Sequence, residues 1–362
     1  QTRKLTMIAN IQYLRFLAAF LVIYAHANLA VYGITPQITN LGGVGVDIFF
    51  IISGFIMPYI IYGGLYKYGM TPKLTPLGFI KRRITRIWPL YLVATLVVVL
   101  ISWLVDSGAI SQPTADFAYI FNGSRLDLMW IIKTMTFMNF DKPPILGIGW
   151  TLQFEFLFYF LLAGLLAIGI KKANSLEFYS VCALVIFGAG NALAHGESKV
   201  LVTLSSQMFI EFILGMYLYR MYSAGCVLPK WLAWVGIASF FPLFAFANSG
   251  VFAYNDYSRL LTWGIPAFVI VWSALSLEGV IPHNRTFLLL GDSSYSLYLS
   301  HGISAPVFLF IWTQLGLDKT VSIVPYVIVY YIYCQVIALA CYKFIEKPVN
   351  SWIKKKAYGK AK

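Results

Sequence analysis

Charge is what this sequence has least of. Asp, Glu, Lys and Arg together supply only 11% of its 362 residues while apolar residues supply 59%, a balance that excludes a water-soluble domain of ordinary composition. Cysteine is scarce as well, with four in all. Cys182, Cys226, Cys334 and Cys341 lie in or beside apolar runs without paired spacing, which argues against a disulfide framework and makes them small buried apolar side chains. No metal site is expected. No gap between apolar runs is long enough to fold alone, the largest being 63–86 and 106–149, so residues 1–362 are expected to form a single integral-membrane domain. No internal repeat is visible, and the first apolar run is too long and too polar on one face for a removable signal peptide. The net charge of +13 comes without any basic and aromatic module of a soluble binding fold, so nucleic acid is not an expected partner.

What the chain does have is apolar runs long enough to cross a hydrocarbon core of about 30 Å. They fall near 10–32, 44–62, 87–105, 150–170, 176–194, 206–222, 231–247, 260–277, 294–313 and 322–344. The runs are continuously apolar, whereas barrel strands alternate at period two. The expected fold is therefore all-α, a polytopic membrane helix bundle of about ten transmembrane helices. Lysine and arginine set its orientation. With both termini cytoplasmic, roughly 20 basic residues fall inside, among them Arg3, Lys4, the cluster within 67–86 and the carboxy-terminal lysines, against roughly 6 outside, Arg125 and Arg259 among them. The excess also favours contact with anionic membrane lipids.

A charged residue at mid-span costs roughly 2.5–3.5 kcal/mol on insertion scales, so each one needs a partner, a wet cavity or a task. The first run, "LRFLAAFLVIYAH" at 14–26, opens on Arg15 and ends on His26. Eleven helical steps leave a residual of about 20° and a rise of about 16 Å, which places both on one face as two stations along one internal channel. Snorkelling of Arg15 to the headgroups and a backbone bond from His26 are the ordinary alternatives.

Other polar blocks stand in or beside later runs. "GGVGVDIFFIISGF" at 42–55 puts Asp47 at the outer end of the second run, where a carboxylate either orients His26 or simply meets the positive end of its own helix. "IKRRITRIWPLYL" at 80–92 sets Lys81, Arg82, Arg83 and Arg86 before the third. Such a group binds lipid phosphates. If the helix extends back to them, Arg83 and Arg86 also share a face and can grip a phosphate-bearing ligand in bidentate fashion. "GWTLQFEFLFYF" at 149–160 places Glu155 and Tyr159 one turn apart, and "GDSSYSLYLSHG" at 291–302 places Tyr298 and His301 at i and i+3. These four are candidate acceptor-binding residues. Glu346, in "FIEKPVNSW", is expected to pair with basic residues at the cytoplasmic surface. The stretch 128–140 is too short to span and is expected along the outer interface or as a partial lid.

These blocks, with "FIEFILGM" and "EKP", occur in an order that resembles the bacterial acyltransferase-3 family from residue 10 to about 350. The resemblance implies an O-acyltransferase of about ten spans in the bacterial cytoplasmic membrane, with acyl-CoA, commonly acetyl-CoA, as donor on the inner side. The implied acceptor is a hydroxyl of a surface glycan or lipid-linked sugar. The family's first-span arginine and histidine match Arg15 and His26, and its arginine pair matches Arg83 and Arg86. His26 is then the general base, or an acyl relay, with Asp47 orienting its ring. A proton-coupled transporter is the competing class, since buried Asp, Glu and His also mark proton routes.

Overall fold

The computed structural model describes residues 7–109, 127–247, 249 and 256–358, and these are helical with no strand among them. Arg3, Lys4, Arg125, Lys360 and Lys362, which entered the orientation argument, lie outside the described residues. The longer helices are α1 (Ala9–Ala25), α2 (Val44–Tyr62), α3 (Pro76–Asp106), α4 (Leu128–Thr136), α5 (Trp150–Ala167), α6 (Ala173–Leu193), α7 (Met208–Ser223), α8 (Lys230–Ala247), α9 (Ile265–Ser276), α10 (Ser294–Gln314), α11 (Ile323–Cys341) and α12 (Lys347–Tyr358). Each of the ten apolar runs is helical. Six helical segments among the described residues are long and apolar enough to cross a membrane: Pro36–Tyr62, Pro76–Asp106, Gly147–Ala167, Ala173–Leu193, Lys199–Ser223 and Ile323–Ile353. The protein is thus a multi-pass membrane protein. The helices at Ala9–Ala25, Lys230–Phe246 and Leu260–Ser276 are apolar but shorter.

Two ends differ from expectation for local reasons. The run 10–32 stops as α-helix at Ala25, because Asn28 takes a left-handed conformation (φ 49°) and turns the chain into a short 3-10 segment, Leu29–Tyr32. The run 87–105 instead begins at Pro76. Proline suits the first turn of a helix, and lysine and arginine are good helix formers, so the basic cluster becomes the first part of α3. Among the described residues two π-helical turns interrupt the regular pattern, Leu260–Gly264 before α9 and Tyr342–Glu346 before α12.

The chain packs into two compact units, each drawn from three stretches. The first comprises Gln1–Ala18, Gly43–Lys81 and Phe154–Asp292. Its centre is the crossing of α2 and α7, where a Cβ at Gly54 would overlap the Phe212 backbone and one at Gly215 would overlap the Ile51 carbonyl. Glycine lets these backbones touch, the usual device for helices that gain nothing from hiding apolar area in lipid. Phe212 fills the space beside them, with its ring 4.7 Å from Phe50 and 4.6 Å from Phe158. The orphan N–H groups at the start of α1 are met by Glu278, whose two oxygens accept from the amides of Ala9 and Asn10 at 2.9 Å each.

The second unit comprises Ala19–Gly42, Arg82–Gln153 and Ser293–Lys362. Here two carbonyls around the end of α1 are reached by hydroxyls of α11. Tyr330 donates to the Ile23 oxygen at 3.1 Å and Tyr326 to the Ala27 oxygen at 2.8 Å, which fixes the backbone on both sides of His26. The short α4 is capped by Asp127, which accepts from the Trp130 amide at 2.7 Å. It buries Trp130 and Thr134 and exposes Leu128, Met129 and Ile132.

Candidate active site

His26 follows directly on the last residue of α1 and is half-buried. Its Nδ1 lies 2.9 Å from the Val22 carbonyl oxygen. A carbonyl can only accept, so in the neutral ring the proton sits on Nδ1 and the lone pair on Nε2. The helix's own backbone thus holds the ring by this nitrogen. The His301 ring stands beside it, with centroids 4.9 Å apart and planes inclined by 57°. His301 is fully buried. Tyr298, one turn back on α10, has its ring 5.6 Å from that of His301. Its hydroxyl is anchored to the Ile148 carbonyl at 2.9 Å and the Thr151 hydroxyl at 2.6 Å. The spacing of Tyr298 and His301 does set them on one face. Ile148 reaches α10 because Gly302 has no Cβ, which would meet the Ile148 side chain.

The basic group is carried on one continuous helix. Lys81 and Arg82 are exposed, while Arg83 and Arg86 are half-buried. Lys81 falls in the stretch of the first unit and the three arginines in that of the second. Arg86 pairs with Glu346, whose side chain is 1% exposed against 34% for Arg86. The other oxygen of Glu346 accepts from the Ser296 hydroxyl at 2.6 Å. Glu346 thus has the expected basic partner and also a buried hydroxyl that spacing did not suggest.

The first unit holds a separate polar cluster. Asp47, fully buried, accepts from Arg259 at 2.9 Å, and Glu211, also buried, stands close enough to Asp47 for the two carboxyl groups to repel when both are charged. Arg259 in turn lies over the Trp263 ring at 4.5 Å. Glu155 accepts from Ser53 at 2.8 Å and from Tyr159. Arg15 donates to Gln12 at 3.1 Å. Sequence reasoning missed Arg259 as a partner, since it reads there as a basic residue outside the spans. The available signal was the pair of buried carboxylates, Asp47 and Glu211, which require a cation somewhere.

A sequence profile described as an acyltransferase domain matches residues 8–343. The chain belongs to the acyltransferase-3 family. This acyltransferase is 32% identical over 321 residues to the exopolysaccharide production protein ExoZ of Rhizobium meliloti (strain 1021), covering 86% of this chain and 90% of the relative. It is 25% identical over 349 residues to the O-acetyltransferase OatA of Staphylococcus aureus (strain NCTC 8325 / PS 47), covering 90% of this chain and 56% of OatA. The acyltransferase MdmB of Streptomyces mycarofaciens is 27% identical over a shorter stretch of 127 residues, 34% of this chain and 28% of MdmB. No solved structure matches significantly.

Proposed function

We propose that this acyltransferase moves an acyl group, acetyl by preference, from cytoplasmic acyl-CoA to a hydroxyl of a surface polysaccharide or lipid-linked sugar at the bacterial cytoplasmic membrane. ExoZ is named for exopolysaccharide production and OatA for O-acetyl transfer, which supports this acceptor and this group. The observation that carries the reading is the His26–Val22 bond, because it leaves Nε2 unprotonated in the neutral ring, as a general base requires.

In the proposed step, Nε2 of His26 takes the proton of the acceptor hydroxyl as its oxygen attacks the thioester carbonyl carbon. The carbon–sulfur bond then breaks, and the departing sulfur takes the proton back from Nε2 to leave as free thiol. Arg83 and Arg86, in the same unit as His26, hold the donor's phosphates, with Arg82 and Lys81 adding positive charge at the cytoplasmic surface. Arg15 is assigned to the catalytic apparatus by the family pattern, and Asp47 by its place at the outer end of the second apolar run. Glu155, Tyr159, Tyr298 and His301 are assigned to the acceptor.

Thiol release from acetyl-CoA by the purified protein with a glycan acceptor tests this reading. His26→Ala is expected to slow release by 10²–10⁴, the usual worth of a general base. Normal turnover by a folded His26→Ala protein rejects both base and relay roles, and a transporter would release no thiol at all.

A further inference from the structure

We propose that Glu346 is a positioning residue for Arg86, aiming its guanidinium at the donor's phosphates while Ser296 holds the carboxylate in place. The inference rests on the reading of Arg83 and Arg86 as the donor grip.

Glu346 has one oxygen on Arg86 and the other on the Ser296 hydroxyl. Both oxygens are therefore engaged, and the side chain has no room to turn, being 1% exposed. Arg86 is fixed at its inner edge and open at its outer one, with 34% of its side chain exposed. A guanidinium carries five N–H donors in a planar fork, so a single carboxylate contact leaves donors for a phosphate while deciding which way they point. The π turn Tyr342–Glu346 carries Glu346 as its last residue, and π turns within regular helices often mark functional positions. Ser296 lies near the start of α10, the helix that bears Tyr298 and His301. Glu346 therefore also ties the arginine to the element that carries the buried imidazole.

The competing effect is repulsion between the Glu346 carboxylate and a bound phosphate, and the sign of one measurement separates the two. Steady-state thiol release from acetyl-CoA is followed for the purified full chain, for Glu346→Gln, Ser296→Ala and Arg86→Ala, and for the double variant Glu346→Gln with Arg86→Ala. Loss of one charge-assisted bond predicts that Glu346→Gln raises KM for acetyl-CoA about tenfold and leaves kcat within about twofold. Ser296→Ala, which removes only a hydroxyl and spares the fold if Glu346→Gln does not, is expected to raise KM about two- to threefold. In the Arg86→Ala background Glu346→Gln should add nothing further. If Arg86→Ala raises KM but Glu346→Gln leaves it unchanged or lowers it, the positioning role is overturned and the donor grip stands. If Glu346→Gln raises KM equally in both backgrounds, Glu346 acts through another group and the proposal falls. An unchanged KM in Arg86→Ala removes the donor grip itself and the positioning role with it.

Discussion

Asp47 stands in two possible relations to catalysis, and replacing it together with its partner tells them apart. Its carboxylate is fully buried, and Arg259 reaches it at 2.9 Å with only 18% of the arginine side chain exposed. At an effective dielectric of about 20 a contact of this length is worth roughly 5–6 kcal/mol of attraction, set against a desolvation cost of several kcal/mol for each ion. Removing one partner of such a pair usually costs about 3–5 kcal/mol, because the remaining charge is stranded. Here Glu211 stands beside both and can take over part of the counter-charge. Asp47→Asn is therefore expected to cost about 2–3 kcal/mol, below the ordinary range. Arg259→Gln, which strands two carboxylates, should cost more. The double variant should recover at least about 1 kcal/mol relative to the sum, as coupled neighbours do. Reversible unfolding in mixed detergent micelles measures all four corners of the cycle. Additivity within about 0.5 kcal/mol would refute the pair as an energetic unit. Thiol release on the same four proteins then reads function. Activity restored in the double variant makes Asp47 a structural residue, and activity lost along with Asp47 in both backgrounds makes it part of the catalytic apparatus.

Two further outcomes follow from the packing. Gly215→Ala pushes a methyl group into the Ile51 carbonyl at the crossing of α2 and α7; it is expected to destabilise by about 1–3 kcal/mol, read by thermal unfolding in detergent, whereas alanine at the open position Gly188 should change nothing measurable. Tyr330→Phe leaves the Ile23 carbonyl with the His26 amide as its one remaining donor, a loss of about 0.5–1.5 kcal/mol, and because that carbonyl is bonded to His26 it should also lower kcat for thiol release while leaving KM for acetyl-CoA unchanged.

The helical class was legible because lipid forces continuous apolar runs, and all ten runs carry helix, of which six helical segments among the described residues are long and apolar enough to cross a membrane. Their ends were less legible. Hydropathy cannot see that the helix continues through Lys81–Arg86, since those side chains are polar although they favour helix. Nor does it register the left-handed turn at Asn28 that ends α1 just before His26. Of the site, the contact of Tyr298 with His301 followed from helical periodicity alone. Asp47 with Arg259, 212 residues apart, and Arg86 with Glu346, 260 apart, did not follow, because periodicity along one helix says nothing about which helix lies opposite. The unpaired charge itself was visible, and only the identity of its partner was not.

The two π turns carry a consequence for how this chain tolerates change in length. Each is an ordinary helical turn with one residue too many, and each adjoins a buried ion pair: Leu260–Gly264 comes directly after Arg259, and Tyr342–Glu346 ends on Glu346. A π turn absorbs that extra residue, so deleting one there regularises the helix and leaves what lies beyond it nearly in place. The same deletion in the regular turns that follow would swing everything beyond by about 100°, a change harmless to helix formation that would turn protein-facing side chains toward lipid.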